Sequence, residues 1–316
     1  AFSSNVGVER RKHLVREALD KSGLANPKFA TCVNWQEASI AAKEIGFPLI
    51  IKPSDLASSA YVSLVHNENE LQAAFDELGK FTHNFRKQAR EPIWLLEEYM
   101  QGEEVSVEAV TFEGKTHIIG VTDKSLTGFP YFIEDGHMFP ADLPREQTAE
   151  VIDYVVKALE AVGHDNGISH TEIKLTPNGP RLVEINPRPG GNYIAELIQN
   201  VTGIDFLDTH IKLALNQAPD LSGLANASGS AAVKFLVPTN KGKLVAIRGQ
   251  EQFAENPNLL RWDLKEALNQ DIYPPIDNAC YLGFAISRDQ HGAKAREIAE
   301  AAIASLDVEI SVAEEV

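Results

Sequence analysis

The sequence predicts a mixed α/β protein of the α+β type, built as lobes around antiparallel hairpins. Three observations carry this expectation. The chain has 316 residues, 44% of them hydrophobic, enough for a sizeable core and two or three lobes. Amphipathic helical segments are interleaved with short runs rich in β-branched residues. Tight turn signals at Glu113-Gly114 and Pro177-Asn178-Gly179 each join two strand-like runs as a hairpin.

The elements follow in order. Residues 9–22 predict a helix, with Leu14, Ala18 and Leu19 apolar and Arg11, Lys12, Arg16 and Lys21 basic. Residues 36–45 predict a second helix that stops at Gly46. "FPLIIKP" is a short buried strand bounded by prolines, "SDLASSA" a small polar loop, and "YVSLVH" an alternating strand. "ENELQAAFDEL" is an amphipathic helix and "IWLLEEYM" another strand. "EEVSVEAVTFEGKTHIIGVTDK" reads as a hairpin. Residues 145–162 predict a strong helix, with Val151, Ile152, Val155, Val156, Leu159 and Val162 at helical spacing. "SHTEIKLTPNGPRLVEIN" is the second hairpin, and a helix follows from Tyr193. Residues 221–230 read as a small-residue linker, and the strand-rich remainder ends in a helix near 291–305.

Net charge is −16 and the two cysteines, Cys32 and Cys280, are far apart. The acidity argues against a sequence-independent nucleic-acid binder. The cysteines give no zinc or disulfide framework and suit a reducing cytoplasm. No apolar run approaches the roughly 20 residues that a spanning helix needs, so no membrane role is expected. The chain opens at "AFSSNVGVERRKHLVREAL", without an initiator methionine or a signal peptide, which reads as a fragment or a processed product.

The second hairpin carries the chemistry. Taking Pro177-Asn178-Gly179 as the turn, Thr176 faces Pro180, Lys174 faces Leu182 and Glu172 faces Glu184; a bulge at Gly179 shifts this by one. Either way the two glutamates share a face, because strand side chains alternate. Like charges so placed destabilise a sheet unless a cation lies between them. Asn186, one pleat beyond Glu184, adds a neutral oxygen, and an all-oxygen set suits Mg²⁺ or Mn²⁺ rather than zinc. A solvated polar face is the alternative reading.

At these residues the chain resembles the ATP-grasp superfamily of ligases. Its metal signature, a glutamate followed about a dozen residues on by E-x-N-x-R, reads here as Glu172, Glu184, Asn186 and Arg188. "RKHLVREAL" resembles the family's leading helix, which implies Lys12 as a phosphate contact; an ordinary helix lysine is the alternative. "PLIIKPSDLASS" resembles the strand and loop that give the second nucleotide lysine, Lys52, and phosphate contacts at Ser58 and Ser59. "EEYMQGEE" resembles the adenine hinge, with Glu97 and Met100 along it and Glu104 on the ribose hydroxyls. Two departures are visible: the loop after Lys52 has no glycine, and Arg11 stands where many members have aspartate.

The resemblance implies a fold of two lobes clamping ATP between antiparallel sheets, with a smaller C-terminal closing lobe. The segments expected are 1–24 as leading helix and connector, 25–100 as the nucleotide lid, 101–228 as the metal and substrate lobe, and 229–316 as the strand-rich closing lobe. It also implies an N-terminal domain absent from this chain, and a homodimer. The expected activity is ATP-dependent activation of a carboxylate as an acyl phosphate, followed by attack of an amine. Arg188, with the backbone of Gly190 and Gly191, is placed to hold the carboxylate or the developing oxyanion. ATP and Mg²⁺ or Mn²⁺ are the implied cofactors.

"TDKSLTGFPYFIEDGHMFPADL" (122–143) looks like the L-amino-acid ligases of the bacilysin-synthetase and dapdiamide-ligase type. It implies Glu134, and His137 on a G-H-x-x-P turn, near the substrate amino group, with Arg188 and Gly191 completing the substrate site. Outside the resemblance, His137 is equally a turn histidine bonding locally. Lys124 reads as a strand-end surface lysine, with a position facing the phosphates as the alternative. Two other functions remain: a carboxylase or purine-type ligase of the same superfamily, and an ATP-binding regulator without catalysis.

Overall fold

The structure, a computed structural model, describes residues 3–56, 61–83, 87–127, 132–265, 270–275, 278 and 280–311. It has two compact units. One comprises Ala1–Ile118 and Pro144–Arg188, the other Ile119–Leu143 and Pro189–Val316. Among the described residues no helix is long and apolar enough to cross a membrane.

The expected helix at 9–22 is two helices, α1 (Val6–Glu9) and α2 (Lys12–Lys21), with Arg11 in extended backbone between them. β1 (Phe29–Cys32), unread in the sequence, comes next. α3 (Trp35–Ile45) begins at Asn34, whose side chain accepts from the Glu37 amide while Glu37 accepts from the Val33 amide. β2 (Leu49–Pro53) and β3 (Ser63–Val65) lead to α4 (Glu68–Gly79), where Asn67 and Glu70 repeat the same reciprocal cap. β4 (Trp94–Glu98) completes a four-stranded antiparallel sheet in the order β1-β4-β2-β3. Its core is Leu49, Ile51 and Leu96 against Ala38, Ala41 and Ala42 of α3 and Leu71 and Leu78 of α4. Each fully buried leucine or isoleucine there contributes about 1.5–3 kcal/mol of burial.

β5 (Glu103–Phe112) turns through Glu113 and Gly114, both at positive φ, into β6 (Lys115–Thr127). β7 (Ile133–Phe139) follows. His137 therefore lies within a strand, not on the expected turn, because β7 pairs with β6. α5 (Arg145–Val162) matches its expected bounds and ends at Gly163 in the left-handed conformation. It buries Val151, Tyr154, Val155, Ala158, Leu159 and Val162. β8 (Gly167–Thr176) and β9 (Gly179–Asn186) form the second hairpin, with β5 on the other side of β8.

The second unit continues with α6 (Ile194–Thr202), α7 (Phe206–Ala214) and β10 (Ser230–Leu236). α7 was unread in the sequence; its start is capped by Asp205. Residues 222–226 of the expected linker form a short 3-10 turn. β11 (Gly242–Arg248), β12 (Leu259–Leu264), β13 (Gln270–Ile272), β14 (Gly283–Asp289), α8 (Ala295–Ala304) and β15 (Asp307–Ser311) complete the unit. The helix expected to end the chain is thus followed by a strand, which pairs with β11. Within this unit β10 lies between β7 and β14, and β12 flanks β14.

Candidate active site

The β8–β9 hairpin sets the geometry of the first unit's polar face. Its turn is tighter than expected: Thr176 pairs with Gly179, Lys174 with Arg181 and Ile173 with Leu182. Continued unchanged, that register would place Glu172 opposite Val183. The ladder instead shifts by one residue between Ile173 and Glu172, so Val183 is bulged and Glu172 pairs with Glu184. The bulge sits inside β9, not at Gly179. On the other side of β8, Ser106 pairs with Glu172 and Glu108 with His170, while His170 also pairs with Asn186 across β9. Two rows of three side chains result: Ser106–Glu172–Glu184 and Glu108–His170–Asn186.

The acidic residues of this face are matched to cations. Lys12 Nζ lies 2.9 Å from Glu184 Oε2 and also donates to the Leu56 carbonyl. His170 Nε2 lies 3.3 Å from Glu172 Oε1, and its Nδ1 lies 2.7 Å from the buried Glu108, which also accepts from Ser106. Burial pulls the His170 imidazole down, but Glu108 and then Glu172 more than reverse this and push it up to about 9. Asn186 is buried, and its Oδ1 accepts from Arg188 Nη2 at 3.4 Å, while the Arg188 side chain itself is exposed.

Directly opposed carboxylates with an amide oxygen one pleat away fit a hard divalent cation. Among the described residues no group of three or more His, Cys, Asp or Glu side chains could hold a metal. Glu172, Glu184 and Asn186 would therefore supply part of a shell, with water and phosphate oxygens supplying the rest, as Mg²⁺ commonly requires.

Lys52 is held differently. It is buried, and its Nζ lies 2.6 Å from Glu97 Oε2, whose Oε1 lies 2.6 Å from Arg16 Nε. Burial lowers the Lys52 ammonium below the usual lysine range, with Glu97 opposing the shift. Burial raises the Glu97 carboxyl, but Arg16 and then Lys52 outweigh that and hold it at about 2. The Glu97 side chain thus anchors Arg16 and Lys52. Only its backbone, at the end of β4, remains for the hinge role that the sequence suggested. Met100, just past β4, is half-buried. Glu104 on β5 is buried and lies 3.2 Å from Lys174, its cross-strand partner. Ser58 and Ser59 lie outside the described residues.

A separate cluster belongs to the second unit. Lys124 and His137 are directly opposed on β6 and β7. Glu134 lies 3.0 Å from Lys124 Nζ and 3.4 Å from His137 Nε2, and accepts from Asn192 Nδ2 at 2.5 Å. Burial raises the Glu134 carboxyl, but Lys124 and His137 hold it well below the ordinary carboxylate range. Lys124 is buried rather than a surface lysine, because β6 runs on to Thr127. His137 is 1% exposed. The Glu134 amide donates to Asn278, and its carbonyl accepts from the Tyr281 hydroxyl. Asn192 and Tyr193 both have positive φ, 48° and 69°, which fixes the chain where it leaves the glycine pair for α6. A side chain added at Gly191 would meet open space.

Sequence reasoning missed Arg16, Glu108, His170 and Asn192. Asn192, directly after the glycine pair, carried a local signal, whereas the others depend on cross-strand and helix–strand contacts.

Residues 45–196 match the ATP-grasp domain, and residues 234–311 match the L-amino acid ligase C-terminal domain 2. This chain carries an ATP-grasp domain and an L-amino acid ligase C-terminal domain. The ATP-grasp match takes in Lys52, Glu97, Glu104, Glu134, Glu172, Glu184 and Asn186. The crystal structure of an L-amino acid ligase from Bacillus licheniformis has the same fold, with a TM-score of 0.80 and 21% identity over 98% of this chain and 74% of that one. Carnosine synthase 1 of Gallus gallus is 34% identical over 57% of this chain and 20% of its own length. The alanine–anticapsin ligase of Bacillus subtilis is 30% identical over 62% of this chain and 45% of its own. The chain thus spans less than two thirds of the length of these curated relatives.

Proposed function

We propose that this chain belongs to an ATP-dependent carboxylate–amine ligase. The enzyme activates the carboxylate of an amino acid or small acid as an acyl phosphate and joins it to an amine. A dipeptide-like amide, ADP and phosphate are released. The observation that carries the reading is the pairing of Glu172 with Glu184, with Asn186 one pleat away, within a chain that also has an L-amino acid ligase C-terminal domain.

Each residue has a part in this scheme. Lys52, fixed by Glu97, and Lys12, at present on Glu184, take phosphate oxygens. Backbone groups from Glu97 to Met100 read adenine, and Glu104 accepts the ribose hydroxyls. Magnesium, when bound by Glu172, Glu184 and Asn186, supplies the charge that lets an acidic protein hold a polyanion. Arg188 offers a planar fork to a carboxylate or a developing oxyanion. Glu134, kept ionised by Lys124, accepts the substrate ammonium, with His137 beside it.

The test is a screen for ADP release over pairs of amino acids and small carboxylic acids, with products read by mass spectrometry. Amide products from at least one pair support the proposal. ADP release that depends on bicarbonate would instead support the carboxylase reading, and tight ATP binding without substrate-dependent release a regulator.

A further inference from the structure

One guanidinium in the first unit meets three parts of the fold. Arg16 of α2 is 1% exposed. Its Nε donates to Glu97 Oε1 at 2.6 Å, and its Nη1 donates to the Leu182 carbonyl at 2.8 Å and to Asn26 Oδ1 at 3.3 Å. Its Nη2 donates to the Val183 carbonyl at 3.2 Å. Leu182 and Val183 are the residues at which β9 leaves the turn's register. Val183 has no directly opposed residue on β8, and a bulge of this kind leaves backbone groups that need partners from outside the ladder.

That bulge decides where Glu184 points. With the register of Ile173 and Leu182 continued, Val183 would face Glu172, and Glu184 would face Thr171 on the opposite side of the sheet. The same guanidinium also fixes one oxygen of Glu97, whose other oxygen fixes Lys52.

We infer that Arg16 is a positioning residue that holds the Glu172–Glu184 pair in register and Lys52 in place through a single side chain. The inference rests on the metal and nucleotide roles proposed above. Arg16 touches neither ligand and acts through the Leu182 and Val183 carbonyls and through Glu97. Lysine could keep a charge opposite Glu97, but it lacks the fork that reaches two carbonyls and a carboxylate together.

The experiment uses Arg16→Lys and, as a second variant that keeps N–H donors without charge, Arg16→Gln. Three quantities are read: cooperative thermal melting, the Mn²⁺ dissociation constant in the presence of ADP by electron paramagnetic resonance of free Mn²⁺, and the dissociation constant of metal-free ADP. The inference expects a variant that melts cooperatively while its Mn²⁺ constant rises by about tenfold or more, as for loss of a group that orients metal ligands. Metal-free ADP should weaken in the same variant. A purely structural role would lower the melting temperature and leave both constants unchanged, and that result overturns the inference. It is also overturned if neither variant folds, because Arg16 would then be a folding residue. Glu184→Gln is the control. If it too leaves Mn²⁺ binding unchanged, the metal reading itself fails. If it weakens Mn²⁺ and the folded Arg16 variants do not, only the inference fails.

Discussion

Glu172 and Glu184 face each other across β8 and β9 because Val183 is bulged out of the ladder between them and the turn. Two carboxylates so opposed repel, and the fold has already set Lys12 against one and His170 against the other. In the proposed reaction a divalent cation and a nucleotide polyphosphate complete this face together.

Replacing Glu184 with glutamine keeps the volume and removes one ligand charge. Mg²⁺-dependent ADP release should fall by on the order of a hundredfold or more, the scale on which one oriented charge-stabilising group is felt. The lost ion pair with Lys12 is partly exposed and contributes about 1 kcal/mol or less, so the protein should still melt cooperatively. Near-parental turnover would show the metal assignment to be wrong.

Acid should act on the Arg16–Glu97–Lys52 group. The Glu97 carboxyl is lowered from 4.5 to about 2, so its contribution to stability is complete above 4.5 and is lost as the pH falls towards 2. Urea unfolding at a series of pH values should show a steep loss in that window for the parent and a shallower one for Glu97→Gln. At neutral pH the variant should be less stable by about 3–5 kcal/mol, since it leaves Arg16 and Lys52 buried with a weakened partner. Equal slopes in the acid window would mean that Glu97 does not carry the effect.

Glu104→Ala should raise the KM for ATP about tenfold, as for loss of one charged hydrogen-bond acceptor, and leave the amino-acid KM alone. In the same assay GTP should be a poor substitute for ATP, as expected if backbone groups at the end of β4 read adenine in the way proposed. Equal use of ATP and GTP would count against the hinge.

Much of this was legible in the sequence, for identifiable reasons. α5 is legible to the residue because its apolar side chains repeat at helical spacing, and Val151, Val155, Leu159 and Val162 among them are buried. Both hairpins were read because their turns are local. β1 was missed because "FATC" is four residues without alternation. The Val183 bulge was not legible, since its partner Arg16 lies 167 residues away. The burial of Lys124 is not legible, because β6 continues beyond the point where its polar sequence suggests an end. The pairing of the Glu97 carboxylate is not legible in the sequence, because its partners Arg16 and Lys52 come from α2 and β2.

The second unit carries a prediction of its own. Glu134 is held well below the usual carboxylate range by Lys124 and His137, so it stays ionised throughout the neutral and mildly acid range. Its effect on the amino-acid KM should therefore not change with pH there. Glu134→Gln should raise that KM roughly tenfold and improve the relative use of acids lacking the amino group. His137→Ala should raise the same KM, and neither change should move the KM for ATP. Steady-state kinetics with each substrate varied decide the matter, and an unchanged amino-acid KM in both variants would remove the recognition role.

In the proposed reaction a substrate carboxylate attacks the γ-phosphoryl group of ATP, giving an acyl phosphate and ADP. It is tested most directly by supplying a turned-over amino acid labelled with ¹⁸O in its carboxylate and following the label by mass spectrometry. The acyl-phosphate route predicts one ¹⁸O atom in the inorganic phosphate for each amide formed, with ADP unlabelled. Unlabelled phosphate alongside amide formation, or label appearing in AMP, would contradict it.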